Sequence, residues 1–329
     1  MIENILKLIK NSENFVITSH VNPDGDSIGS EIALYLYLKK SGKNVKIINY
    51  SETPDNYKFL DKNKIIEKYN EEVHKNILLN TDVIFILDTN EYSRLRTMSD
   101  FIEKSQAKKV CIDHHLGNEK NGFDYSLIDT ESPATGEILF HLLKESNGSI
   151  DSQIAEALYT AIMTDTGSFR FPRTDSETHN ITAQLINSGA DPVKIYSEVY
   201  DKATEGRLKL LSRFLSNVEL AYENKLIYGT ILIKDFEETS TNVFDTEGFS
   251  HYLMSIDTVQ ISLIFTETQR GIKISFRSKN DIFVNELAKE FGGGGHKNAA
   301  GAFLVIDSGY GSIDDIKKEV ILKSKKYIL

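Results

Sequence analysis

Three short apolar runs, far apart in the chain, each end in acids or imidazoles, and this recurrence restricts the fold more than any other feature. Phe15-Val16-Ile17-Thr18 leads into His20-Val21-Asn22-Pro23-Asp24-Gly25-Asp26. Val83-Ile84-Phe85-Ile86-Leu87 leads into Asp88, and Val110-Cys111-Ile112 leads into Asp113-His114-His115. A short run that is apolar throughout suits a parallel strand covered on both faces. The carboxyl ends of such strands share one edge of the sheet, where open α/β sheets place their sites. Pro23 and Gly25 predict a sharp turn out of the first run, because proline pre-sets φ and glycine tolerates unusual values. A helix follows it over 32–38.

The rest of the chain alternates in the same manner. Gly42 is a helix stop before a second strand over 45–48, and a short helix is expected around 64–69. Helices are predicted over 134–145 and over the stripe Ile154, Ala157, Leu158, Ala161 and Ile162. Asp165 lies just past that stripe, where the helix dipole is negative, so an unpaired acid is misplaced and a cation would resolve the conflict. Residues 175–220 read as helical. Strands over 225–233, 259–266, 272–278 and 302–306 follow, with helices over 282–291 and around Ile313–Ile321. The organisation expected is a mainly parallel α/β domain over 1–190, a helical connector over 191–224, and a smaller α/β domain over 225–329.

Two segments of that last domain carry polar chemistry. In 272–278, alternation puts Ile272, Ile274 and Phe276 on one face and Lys273, Ser275 and Arg277 on the other, with Lys279 continuing a basic stripe. Downstream, Gly292-Gly293-Gly294-Gly295 precedes His296. The backbone N–H groups of Gly293, Gly294 and Gly295 can approach a phosphate closely, and the planar fork of Arg277 can grip one. Arg94 and Arg170, shortly after Asp88 and Asp165, are further candidate phosphate contacts.

Composition removes several function classes. No apolar run approaches the roughly 20 residues that cross a bilayer. The net charge is −10; residues 225–329 carry 13 basic and 14 acidic side chains, leaving 25 and 34 in the first 224. That is no cationic face for duplex DNA. A single cysteine, Cys111, forms no internal disulfide and points to a reducing cytoplasm, and in its apolar run it reads as a buried, inert thiol.

His20, Asp24, Asp26, Asp88, His114 and Asp165 form a hard-to-borderline ligand set without thiolate, suited to Mn²⁺, Mg²⁺, Fe²⁺ or Zn²⁺. Four carboxylates converging on one point repel one another unless cations lie between them. Two divalent ions neutralise the four, and Asp88, alone on its strand end, is the natural bridge. Such an ion pair is the clamp used for in-line displacement at phosphorus.

The series His20-x-x-x-Asp24-x-Asp26, Asp88, Asp113-His114-His115 and Asp165 resembles the DHH phosphoesterase superfamily. Gly292–Gly295-His296 with Ala299-Ala300-Gly301 resembles its DHH-associated substrate-binding domain, so the resemblance covers nearly the whole chain. It is nearest the compact bacterial subfamily of oligoribonucleases and 3′-phosphoadenosine 5′-phosphate (pAp) phosphatases. It implies two Mn²⁺ ions, one on His20, Asp24 and Asp88, the other on Asp26, Asp88, His114 and Asp165. Asp113 would orient a ligand imidazole. His115, pointing away from His114 on an extended segment, would meet the scissile phosphate. The second domain would hold substrate, with the site in the cleft between domains. Expected substrates are very short RNA and dinucleotides such as pApA, hydrolysed to mononucleotides, and pAp. Cyclic di-AMP hydrolysis, RecJ-like exonuclease activity and a non-catalytic nucleotide sensor are the alternatives. Neither duplex DNA nor a membrane is an expected partner, and a homodimer is left open.

Overall fold

The computed structural model describes residues 1–117, 122–146, 148–306 and 312–328. The chain divides into two compact units, Met1–Lys202 and Ala203–Leu329.

In the first unit, α1 (Ile2–Asn11), β1 (Asn14–Thr18), α2 (Gly25–Lys40), β2 (Asn44–Asn49) and β3 (Ile66–Lys68) are followed by α3 (Glu71–Asn80) and β4 (Val83–Leu87). Then come α4 (Ser99–Lys104), β5 (Lys108–Asp113), β6 (Tyr125–Ile128), α5 (Thr135–Glu145), α6 (Ser152–Asp165), α7 (Ser176–Asn187) and α8 (Pro192–Tyr200). The strands form a six-stranded sheet in the order β3-β2-β1-β4-β5-β6. Every pairing in it is parallel. The order reverses between β1 and β4, which places a crevice outside the carboxyl ends of those two strands.

The apolar runs behave as two-faced strands. Phe15, Ile17, Val83, Phe85 and Leu87 enter one core, with residues of α1, α2, α5 and α6. Val16, Ile84 and Ile86 enter another, under Leu78 and Ile102 of α3 and α4. Burial on both sides removes the period-two signal, leaving runs that are apolar throughout.

Two local expectations change, and one strand was not foreseen. The segment read as a helix around 64–69 contains β3, a three-residue edge strand pairing Ile66 with Ile47 of β2. The helix begins only after Asn70, whose side chain accepts from Val73 N at 3.3 Å. The strand β6 carried no apolar run; its residues are half-buried or exposed, and pairing to β5 makes it. The 191–224 segment is shared between the units, α8 in the first and α9 (Glu205–Ser216) in the second.

The second unit continues with β7 (Glu219–Ala221), β8 (Leu226–Ile231), α10 (Ile233–Thr239), α11 (Phe249–Met254), β9 (Ile261–Thr268) and β10 (Gly271–Ser278). It ends with α12 (Val284–Lys289), β11 (Gly294–His296), β12 (Ala299–Leu304) and α13 (Ile313–Ser324). Its sheet runs β11-β12-β10-β9-β8-β7, antiparallel except where β8 meets β9. Ile272, Ile274 and Phe276 of β10 are fully buried against α12 and α13, as their alternation predicts. The result is a parallel α/β unit followed by a smaller mixed one. No helix among the described residues is long and apolar enough to cross a membrane.

Candidate metal centre

The cluster is assembled from the ends of β1, β4 and β5 and the ends of three helices. At the exit of β1, His20 Nδ1 lies 2.9 Å from the Val21 carbonyl. A carbonyl only accepts, so Nδ1 carries a proton and Nε2 is the ring nitrogen that a metal ion would meet. Nε2 is 3.3 Å from Asp88 Oδ2 and 3.8 Å from Asp24 Oδ2. Asp24 caps α2, its Oδ1 accepting from Asp26 N and Ser27 N at 3.1 Å.

Asp26, on the first turn of α2, is fixed from far away in sequence. Its Oδ2 accepts from Thr135 N at 2.7 Å, and its Oδ1 accepts from Gly136 N at 2.9 Å and from Ser30 Oγ at 3.2 Å. It therefore caps α5 as well, taking two amide donors that the helix start leaves unpaired.

Asp88 is the hub. Its backbone adopts a left-handed φ of 59°, uncommon for a residue with a side chain and a frequent mark of a functional turn. Ser27 Oγ donates to its Oδ2 at 2.6 Å and Thr135 Oγ1 to its Oδ1 at 3.2 Å. His114 Nε2 and His115 Nδ1 stand 3.6 and 3.5 Å from Oδ1.

The two neighbouring histidines converge, contrary to the expectation that they point apart. Their ring centroids are 4.5 Å apart, edge to face. The reason is Asp113, the last residue of β5: its Oδ1 accepts from the amides of His114 (2.8 Å) and His115 (3.2 Å) and lies 2.7 Å from His115 Nδ1. Chain that turns about a side chain loses the strict alternation of a strand. Asp113 thus orients His115, while the His114 ring is set by the Ser132 carbonyl, 3.3 Å from Nδ1. That leaves His114 Nε2 facing Asp165 Oδ2 at 3.3 Å and Asp26 Oδ2 at 3.8 Å.

Asp165 reaches the cluster because α6 crosses α2 on small residues. A Cβ added to Gly29 would lie 2.9 Å from Ala161 Cβ and strike the Ala157 carbonyl, and one on Gly25 would lie 2.6 Å from Thr164 Cγ2. Gly136 of α5 meets the same Ala161. Three helices thereby close on one point, bringing the end of α6 beside the start of α2.

The electrostatics record an excess of negative charge. Burial, then the charges of Asp88, Asp165 and Asp24, push the Asp26 carboxyl well above its usual range. Burial and the charges of Asp24 and Asp88 do the same to Asp165, opposed by His115 and Arg173. Asp88 also pays the desolvation penalty, but its hydrogen bond to His20 and the charges of the three histidines hold its carboxyl far below the ordinary value. Burial lowers the pKa of His114. It acts the same way on His115, yet the Asp113 and Asp88 carboxylates raise that imidazole to about 9, with the Arg94 charge opposing. Arg94, half-buried, also opposes protonation of His20. Its backbone carbonyl accepts from Val21 N at 2.8 Å.

Among the described residues, three triads place ligand atoms within 4.8 Å of one another: His20, Asp24 and Asp88; Asp26, His114 and Asp165; and Asp88, His114 and His115. The six proposed ligands are therefore brought together, with Asp113, His115 and Arg94 around them. Sequence reasoning missed Ser27, Ser132, Thr135 and Arg173; only the small-residue spacing of α2 and α6 offered a signal for the helix crossing. Cys111 is buried, and burial raises its thiol pKa, as for an inert thiol.

Of the candidate phosphate contacts, Arg94 and Arg170 lie in the first unit and Arg277, His296 and the glycine run in the second, and the glycine run differs from an open loop. Gly292, at φ 69°, and Gly293 cap α12, their amides donating to the Lys289 and Ala288 carbonyls at 3.0 and 2.9 Å. The Gly293 N–H is thus committed to the helix end. Gly294, Gly295 and His296 form edge strand β11, paired with Gly301, Ala300 and Ala299, and all three are exposed. On β10, Arg277 is half-buried and gives Nη1 to the Phe276 carbonyl at 2.9 Å. Crowding by surrounding protein lowers the pKa of Arg277, and of Lys273 although that side chain stays exposed; the Arg277 charge adds to the effect on Lys273, and Glu247 opposes both. An anion would relieve this strip. Arg170 instead staples its own turn, Nε donating to the Gly167 carbonyl at 2.6 Å.

Comparison with known proteins agrees with this division. The chain matches the DHH family, N-terminal domain, over residues 14–162 and the DHHA1 domain over residues 224–322. It is 26% identical to the bifunctional oligoribonuclease and PAP phosphatase NrnA of Thermus thermophilus, over 98% of this chain and 94% of that one. It is 30% identical to an uncharacterised protein of Mycoplasma genitalium, over 92% and 90%. The crystal structure of an exopolyphosphatase-related protein from Bacteroides fragilis, 33% identical, covers 99% of this chain and 96% of its own with a TM-score of 0.94. Such agreement over the full length of both units means that the chain belongs to the DHH family of phosphoesterases, with a DHHA1 domain as its second unit.

Proposed function

We propose that this protein is a two-metal, Mn²⁺-dependent phosphoesterase that releases mononucleotides from very short RNA and dinucleotides and removes phosphate from pAp. The observation that carries the reading is the position of Asp88, whose carboxylate belongs to two of the ligand triads. The donor set fits hard divalent ions: carboxylate oxygens and imidazole nitrogens, with Asp26 and Asp165 held above their usual range by burial and like charge. His20, Asp24 and Asp88 would hold one ion, and Asp26, Asp88, His114 and Asp165 the other. Bound there, the ions would polarise the phosphoryl group and neutralise the carboxylates.

The remaining roles fall to the chain's own groups. His115, clamped by Asp113, offers an N–H donor to the scissile phosphate and its leaving oxygen. Arg94 adds positive charge beside it. Arg277, His296 and the exposed β11 backbone of Gly294 and Gly295 bind the substrate's phosphates, and Gly293 supports that strand by closing α12. The name borne by the Thermus thermophilus relative, which spans this chain almost end to end, supports the substrate class.

The test is a panel of initial rates with Mn²⁺ on pApA, pAp, short RNA, cyclic di-AMP and pyrophosphate, for wild type and Arg277→Ala. Fast release of mononucleotide from pApA and short RNA, with loss in the variant confined to nucleotides, is the expected result. Equal rates on all five, or turnover of pyrophosphate alone, would sink the reading.

A further inference from the structure

The turn after Asp165 passes through three successive left-handed residues, Gly167 (φ 56°), Ser168 (φ 58°) and Phe169 (φ 64°). Only the first is a glycine, so the other two hold this conformation against steric cost. Packing imposes it. The Phe169 ring lies 5.9 Å from that of Tyr159 and 5.5 Å from that of His179, and its amide donates to Thr166 Oγ1 at 3.1 Å. Arg170 staples the turn through Gly167, and the amides of Arg170 and Phe171 both return to the Thr166 carbonyl, at 2.9 and 3.0 Å.

What this arrangement achieves is the placement of Phe171. The end of its ring rests on Gly167, where an added Cβ would lie 2.5 Å from Phe171 Cζ. The side chain nevertheless stays 54% exposed, and among the described residues no second aromatic ring contacts it. Asp165 itself stands 3.3 Å from His114. The Phe171 amide sits on the Thr166 carbonyl, one residue past Asp165, so a flat apolar face is presented on the strained turn that leaves a candidate ligand. Core packing does not account for a phenylalanine held in solvent.

We propose that Phe171 is a base-stacking platform, taking the nucleobase of the nucleotide whose phosphate enters the cluster. The inference rests on the reading that the substrate is a short nucleotide, and adds how its base is recognised. Every base has a π-face, so such a platform favours nucleotides over bare phosphates without selecting among bases.

The chain contains no tryptophan, so Phe171→Trp installs a single fluorophore in the full-length protein. Titration with adenosine 5′-monophosphate in Mg²⁺ is expected to quench it to saturation, and ribose 5-phosphate to leave it unchanged. Phe171→Leu is expected to raise KM for pApA about tenfold with kcat and thermal midpoint unaltered, and Phe171→Tyr to restore it. Equal responses to the two ligands, no response to either, or an unchanged KM in Phe171→Leu overturns the proposal. Should Phe171→Trp misfold, the Leu and Tyr variants decide. A wild type that cleaves no short nucleotide sinks the functional reading instead, and the monophosphate titration then still decides the stacking.

Discussion

The carboxylate cluster of the first unit and the basic edge of the second are built on opposite principles. In the cluster, orientation is over-determined. Asp26 has both oxygens on backbone amides of α5, Asp88 receives two hydroxyls, and one oxygen of Asp113 serves three N–H groups. Along β10 and β11, Lys273 and His296 are exposed and Arg277 is half-buried. Metal ions demand fixed donors and a supporting layer behind them, whereas a phosphate needs positive charge within reach, which a flexible side chain supplies. On the proposed reading, the first region selects a geometry and the second selects a charge.

Breaking the hub should give the largest effect. Asp88→Ala removes a donor from two triads and leaves His20, His114 and His115 without a shared acceptor. Turnover is expected to fall by at least about a thousandfold, and calorimetry should register fewer than two Mn²⁺ per chain. Near-normal turnover in excess Mn²⁺ would end the two-metal account.

Behind the cluster, Glu31 of α2 is fully buried and accepts from Asn49 Nδ2 at 2.8 Å, while Asn49 Oδ1 accepts from Ser19 N, next to His20, at 3.3 Å. Burial, opposed by the Asn49 hydrogen bond, raises its carboxyl from 4.5 to about 8. The folded state therefore binds the proton more tightly than the unfolded state. Stability from this group is complete below pH 4.5 and is lost as pH rises towards 8, by on the order of 4 kcal/mol. Urea midpoints across that window should fall less steeply for Glu31→Gln than for wild type. Parallel slopes would refute the assignment.

The helix crossing comes next in size. Gly29→Val drives a branched side chain into the Ala157 carbonyl and Ala161. A loss of about 2–3 kcal/mol is expected, together with weaker Mn²⁺ binding, because Asp165 is carried on the displaced helix. Lower stability with unaltered metal affinity would uncouple the crossing from the site.

The mildest effect should be on the charge-selecting side. Arg277→Ala is expected to raise KM for pApA about tenfold to a hundredfold, with Mn²⁺ affinity unchanged. A change in metal binding there would erase the contrast between the two regions.

Much of this was legible from particular residues. His20, Asp24, Asp26, Asp88 and His114 follow apolar runs, and parallel pairing leaves such residues only one edge to share. Asp165 was legible as an acid at the wrong end of a helix. The direction of His115 was not, because a turn around Asp113 replaced the strand alternation that had been assumed. Nor was the glycine run, whose first two residues close α12 while the last two enter a strand.

By itself the sequence determined the parallel sheet, the strand ends that carry donors and the acid-rich character of the cluster, because burial periodicity and ligand chemistry are local properties of the chain. Tertiary structure alone decided that Thr135 and Gly136 would hold Asp26, that Ala157 and Ala161 would admit Gly29, and that a strained turn would leave the Phe171 ring exposed on Gly167. The first two outcomes depend on surfaces more than a hundred residues apart meeting at close range, and no periodicity within either segment encodes the fit between them.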